Sequence, residues 1–192
     1  MRLALLALVL ASAACASNSA SVSGTGPGGG VDVADTVSAT VTADDGTGGT
    51  SSYAQIVIGS TSGLCSDAGA SPPIDRKGAR LIVIELRDIT GSQSTAPAVA
   101  GAYTIYPNTG NQPPKSASLS TIGFDNTCQT VDAQTASAQS GTVTLTTASA
   151  GVYKGSFDVT LNTGDHLTGS FDPTACPALQ TAAANTDAHA CM

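Results

Sequence analysis

Between Asp35 and Cys176 the chain runs in short stretches whose apolar residues recur at every second position, separated by Gly, Pro, Asn and Ser. No 11-residue window in this region carries the 3.6-residue period of an amphipathic helix. A period of two puts successive side chains on opposite faces of a strand. The alternation therefore predicts strands over Thr36–Ala43, Tyr53–Ser60, Ala79–Arg87, Ala102–Tyr106, Ser116–Phe124, Gly141–Thr147, Val152–Asn162 and Leu167–Asp172. Eight short strands so spaced imply an all-β antiparallel β-sandwich of about eight strands, or a barrel-like variant. Composition fits a thin core. More than half the chain is Ala, Gly, Ser or Thr, Trp is absent, and there are three Phe and four Tyr.

The last strands can be registered from their pattern. Tyr153, Phe157, Val159 and Leu161 alternate with Lys154, Ser156, Asp158 and Thr160, so the odd positions face the core. Leu167, Gly169 and Phe171 are also odd. An odd-length loop, Thr163-Gly164-Asp165, sets Leu161 opposite Leu167 and Phe157 opposite Phe171, with Gly164 supplying positive φ. A three-residue loop, Ser149-Ala150-Gly151, sets Val143 opposite Phe157 and Leu145 opposite Gly155. Asp158 and Asp172 then face outward.

The N-terminus carries an address. Met1-Arg2 is followed by the apolar run Leu3–Ala11 and by small residues, the pattern of an export signal over residues 1–14. The run is about nine residues, whereas about 20 are needed to span a bilayer. Ala11-Ser12-Ala13 fits ordinary signal peptidase. Ser12-Ala13-Ala14-Cys15 resembles the lipobox of bacterial lipoproteins, with Ser12 where that motif usually has Leu, Val or Ile. Lipidation of Cys15 is what this resemblance implies, with the membrane as partner through the lipid. Ala16, in place of the Asp that retains many lipoproteins in the inner membrane, implies the outer membrane; the alternative is a periplasmic or secreted protein. Residues 15–34 read as the lipidated Cys and a flexible Gly/Ser linker with a reach of roughly 20 Å. Gly24-Thr-Gly26-Pro-Gly-Gly29 has dinucleotide-motif spacing, but a proline sits inside it and the helix that the motif needs does not follow.

Cysteine parity points the same way. Of five cysteines, Cys15, Cys65, Cys128, Cys176 and Cys191, removing Cys15 leaves four that can pair. If the eight strands strictly alternate in direction, Cys65 and Cys176 end at one pole, which favours Cys65–Cys176 and leaves Cys128–Cys191. The segment 177–192 is then a C-terminal tail held by a disulfide beyond a 35–176 domain.

The stretches Ser140–Thr146, Lys154–Leu161 and Gly164–Asp172, together with Gly101-Ala-Tyr103, Cys128 and Cys176, resemble envelope lipoproteins of myxobacteria and related bacteria. That resemblance implies location and fold and carries no site.

Few chemistries fit. A net charge of −7 with seven Lys and Arg argues against nucleic acid, where cations must meet phosphates. No Gly-x-Ser-x-Gly is present, and Gly59-Ser-Thr-Ser-Gly63 has its serine misplaced. His166 after Asp165, and His189 in the tail, read as solvated histidines. Asp44-Asp45-Gly46 lacks the alternating ligands of a calcium loop. Glu85, Arg87 and Asp88 read as the end of a central strand emerging into water. No cofactor, metal site or catalytic residue is expected. The leading expectation is an exported, membrane-tethered lipoprotein with a structural or interaction role in the cell envelope, with an envelope protein or glycan as a possible partner. The alternative is a small-ligand or carbohydrate-binding module, and a third is a hydrolase with an unrecognised site.

Overall fold

A computed structural model describes residues 18–44, 49–107, 111–149, 151–185 and 188–192. The expected signal peptide, Cys15 and Asp45-Gly46 lie outside the described residues.

Each of the eight expected strands is present. They are β2 (Asp35–Asp44), β3 (Thr50–Gly59), β5 (Arg80–Thr90), β7 (Gly101–Ile105), β8 (Lys115–Gly123), β9 (Ala136–Ser149), β10 (Val152–Leu161) and β11 (His166–Asp172). Five short strands join them: β1 (Ser19–Gly24), β4 (Ile74–Asp75), β6 (Gln93–Thr95), β12 (Thr174–Ala175) and β13 (Ala190–Cys191). The described residues also form two short α-helices, α1 (Leu64–Ala68) and α2 (Ala178–Ala184), and a 3-10 turn at Asp132–Gln134.

The architecture corrects the sandwich expectation. A single eleven-stranded mixed sheet runs β1-β11-β10-β9-β7-β8-β5-β3-β2-β12, with β6 on β5, and curls into a half-barrel. Two of its pairings are parallel, β7 with β8 and β12 with β2, and a separate two-stranded sheet pairs β13 with β4 in parallel as well, so strict alternation fails. Side chains knit the far ends of the strand order together. Ser38 Oγ donates to the Gly151 carbonyl (2.8 Å), and Thr40 Oγ1 meets the Tyr153 hydroxyl (2.6 Å).

The inner face holds the main core. Ala54, Ile56 and Ile58 of β3 and Ile82, Ile84 and Leu86 of β5 meet Phe157, Val159, Leu161 and Phe171 from across the curl. The Phe157 ring lies over Gly169, where an added Cβ would come within 2.5 Å of Cζ. Phe157 pairs with Gly169 and Phe171 with Gly155, not Phe with Phe. The odd-loop argument thus has the right parity and faces but is two residues out. Leu161 N bonds the Asp165 carbonyl (2.8 Å), so the loop is Asn162-Thr163-Gly164. Large against small fills the layer without overlap, which two opposed rings would not do. The β9–β10 core register is as expected, Val143 with Phe157 and Leu145 with Gly155, by another route. Ser149 pairs directly with Val152, and a bulge between Lys154 and Gly155 restores the phase.

The expected flexible linker is also corrected. Ser19–Gly24 pairs with β11 along its whole length and tucks Ala20 and Val22 against the core. This covers an edge that would otherwise leave backbone groups unpaired. Downstream, the Arg80 guanidinium donates to the carbonyls of Pro27 (2.6 Å), Gly28 (3.1 Å), Gly29 (2.8 Å) and Gly30. A guanidinium offers five donors, and the glycines let three carbonyls converge on Nη1 and a fourth on Nη2.

The tail belongs to the fold. Gln180 on α2 accepts from Thr42 N (2.6 Å) and donates to the Thr42 carbonyl (2.8 Å), imitating a neighbouring strand on β2. Cys65–Cys176 (S–S 2.08 Å) and Cys128–Cys191 (2.06 Å) are the disulfides. These are the expected pairs, but Cys176 reaches Cys65 because β12 crosses to β2, not because β11 ends at that pole. The Asp125 carboxylate holds the Cys128 loop, accepting from Thr127 N (2.7 Å), Thr127 Oγ1 (2.7 Å) and Gln129 N (3.0 Å). These bonds, led by the Thr127 hydroxyl, hold its pKa below the usual 3.8. With the folded value depressed, this contribution is full above the ordinary value and is lost as pH falls through the folded one. The protection of the Thr127 and Gln129 amides, measured as exchange relative to an unstructured peptide at the same pH, should therefore fall as pH drops through the folded value, and Asp125→Ala should remove it at higher pH as well.

Candidate functional site

Two apolar runs in the sequence are continuous rather than alternating: Ile56-Val57-Ile58 and Leu81-Ile82-Val83-Ile84. Such runs mark strands covered on both faces. Here Val57, Leu81 and Val83 point outward, away from the main core, and α1 and α2 lie over them. Val37, Ala39, Val57, Cys176 and Leu179 form a second buried cluster, with Leu64, Ala68 and Ala178 packed around it. The helices do not close completely over β5. A cavity of about 260 Å³ remains between the outer face of β3 and β5, the two helices, and the Pro73–Arg76 segment.

Its floor is Val57, Leu81 and Val83, and its walls include Leu64, Ala68, Phe124, Leu179 and Ala182. Both disulfides fix these walls. Cys65 leaves α1 and Cys176 sits just before α2, while Cys191 ties β13 beside β4 at the Ile74–Asp75 side.

Every charge at the rim already has a partner. Asp67 is buried, 5% exposed, and accepts both Arg76 Nε (2.8 Å) and Nη2 (2.6 Å) in a bidentate fork. Asp75 Oδ1 lies 3.0 Å from His189 Nδ1. Thr61 Oγ1, in the wall, is buried and has no hydrogen-bond partner among the described residues.

A second depression, about 450 Å³, lies where β7 ends and the strands fork. β9 pairs with β7 over Thr142–Leu145 but directly with β8 at Ala136–Ser137. Tyr106, Ser118, Gln139 and Asn162 border the fork, which makes it polar and gives it one aromatic ring. Tyr103, three residues earlier, points into the core. Its hydroxyl donates to Asp88 (2.9 Å), and burial, then that bond, push its pKa far above the usual 10.0. The two tyrosines thus lie on opposite faces, as their spacing requires.

The other residues of interest are dispersed. His166 Nε2 lies 2.7 Å from Asp158 Oδ1, with side chains 57% and 73% exposed. Among the described residues no serine hydroxyl bonds the imidazole, so the pair lacks the nucleophile a triad requires. Exposed pairs contribute about 0–1 kcal/mol. His166→Ala should change unfolding free energy in urea by less than about 1 kcal/mol; a larger loss would mean the pair does more than solvate the hairpin. Asp172 is held by Lys154 (2.6 Å). Glu85 pairs with Arg87 (2.8 Å), whose guanidinium stacks 4.7 Å over the Tyr53 ring. Asp88 is bridged to Lys115 at 3.5 Å. The charged end of β5 is thus internally neutralised rather than simply solvated.

Comparison with family models, with curated proteins and with solved structures finds no match. The two disulfides indicate an oxidising, non-cytoplasmic setting. Among the described residues no helix is long and apolar enough to cross a membrane.

Proposed function

We propose that this chain is an exported envelope lipoprotein, anchored by lipid on Cys15 and acting by binding rather than by catalysis. The observation that carries the reading is that four of the five cysteines are committed to disulfides, leaving Cys15 behind a short apolar leader. Outer-membrane placement follows from Ala16 by the lipoprotein rule. Because β1 begins at Ser19 and Asn18 bonds Asp35, two residues separate Cys15 from the anchored chain. At about 3.4 Å per residue the anchor lies within roughly 10 Å of Asn18. On this reading the domain rests against the membrane instead of swinging from a tether. Mass spectrometry of the mature N-terminus should find acylated Cys15, and Cys15→Ser should release the protein from membranes. A soluble wild-type protein beginning at Ala14 would refute the anchor.

A second reading, small-ligand binding, is favoured by the cavity over β3 and β5. It is a concave apolar site with fixed walls, the usual form of a ligand pocket. The fork at Tyr106 supports the carbohydrate variant less, since a single ring gives little stacking surface.

A further inference from the structure

We infer that the cavity between α1, α2 and the outer face of β5 binds a small uncharged apolar molecule, with room for at most one hydrogen-bonding group. This rests on reading the cavity as a ligand site, and three observations set the ligand's class. The first is the lining: Val57, Leu81, Val83 and Phe124 offer only carbon to whatever enters. The second is size. A dry apolar cavity of about 150 Å³ accepts benzene, so about 260 Å³ suits a fused two-ring compound or a short branched chain. A full-length acyl chain would not fit.

The third observation is the rim. A carboxylate ligand would need a free cation, but Arg76 spends Nε and Nη2 on Asp67. An ammonium ligand would need a free carboxylate, but Asp67 is closed by that fork and Asp75 faces His189. A charged ligand would have to break one of these pairs or enter unpaired, and burying an unpaired charge is strongly unfavourable. Of the uncharged polar side chains of the lining, the Thr61 hydroxyl is buried behind the wall, which leaves the Gln55 amide. That amide can serve one hydroxyl or carbonyl of the guest. The site is preformed, because the disulfides anchor both helical walls whether or not anything is bound.

The test uses one ring system in three charge states: 2-naphthol, 2-naphthoate and 2-naphthylmethylammonium. They are titrated at neutral pH into the chain carrying Cys15→Ser, so that no detergent competes. Amide shifts at Leu64, Leu81, Val83 and Ala182 are followed by NMR. We expect 2-naphthol to move these amides and to bind at least about tenfold more tightly than either ion. Ala182→Phe, filling the cavity from α2, should weaken 2-naphthol at least about tenfold. Val83→Phe fills it from the sheet and replaces that variant if α2 does not tolerate the ring. If none of the three compounds moves these amides, there is no ligand site and the inference fails with that reading. If either ion binds as tightly as 2-naphthol, the site stands and the uncharged class is overturned. If filling the cavity leaves 2-naphthol binding unchanged, binding is elsewhere and the inference is wrong.

Discussion

Replacing Cys65 and Cys176 together by alanine should lower the unfolding free energy by about 4–5 kcal/mol. The bridge joins residues 111 apart in sequence, and closing a loop of about 100 residues restricts the unfolded chain by about 4.7 kcal/mol. That is a large share of the roughly 5–15 kcal/mol by which a domain is stable. The loss should exceed that of a typical surface change because the bridge also pins α1 and α2, which cover Val57 on the outer face of β3. Cys176 is fully buried among Val37, Ala39 and Leu179. Serine at 176 should therefore be worse than alanine, by about 1–3 kcal/mol for a buried hydroxyl without a partner. Guanidinium unfolding under non-reducing conditions measures both differences. A double-alanine variant within about 1 kcal/mol of wild type would show that α1 and α2 hold themselves in place.

Phe157→Ala should cost about 3–5 kcal/mol, the range for truncating a well-buried aromatic. Phe157 is 3% exposed and sits where β9, β10 and β11 meet. The argument has a converse. At Gly169 an added methyl would strike the Phe157 ring at 2.5 Å and the Ser21 carbonyl at 2.3 Å. Gly169→Ala should therefore also destabilise, by overpacking instead of cavity formation, and should loosen β1 from β11. Combining the two changes should cost less than their sum, because removing the ring frees part of the space the methyl needs. Strict additivity in thermal unfolding would place the ring elsewhere.

The eight long strands were legible in the sequence because alternation is a local property. A strand's inner and outer faces follow from its own residues, wherever its neighbours lie. For the same reason Phe157, Val159 and Phe171 are core, Asp158 is outside, and the hairpin loop has odd length. The exact pairing was not legible, because a shift of two keeps every face correct. Only the fit of Phe157 over Gly169 and Phe171 beside Gly155 separates the two registers, and that is a matter of packed volume. β1 had a faint signal in Ser19-Ala-Ser-Val-Ser, whose Ala20 and Val22 alternate with serines. The glycines that follow made it read as linker, and its order comes from the free edge of β11 and from Arg80.

The candidate site divides along the same line. Its floor was written in Leu81-Ile82-Val83-Ile84, since a run with no polar face must be covered twice. What covers it was not, because α1 and α2 are five and seven residues long and too short to form without tertiary contacts. The sequence by itself determined a mostly β chain with its faces assigned and four cysteines fit to pair. The tertiary structure alone decided the curl of one mixed sheet, the parallel entry of β7 and β12, and the cavity. Which edges meet depends on contacts between residues far apart in the chain, and no local period encodes them.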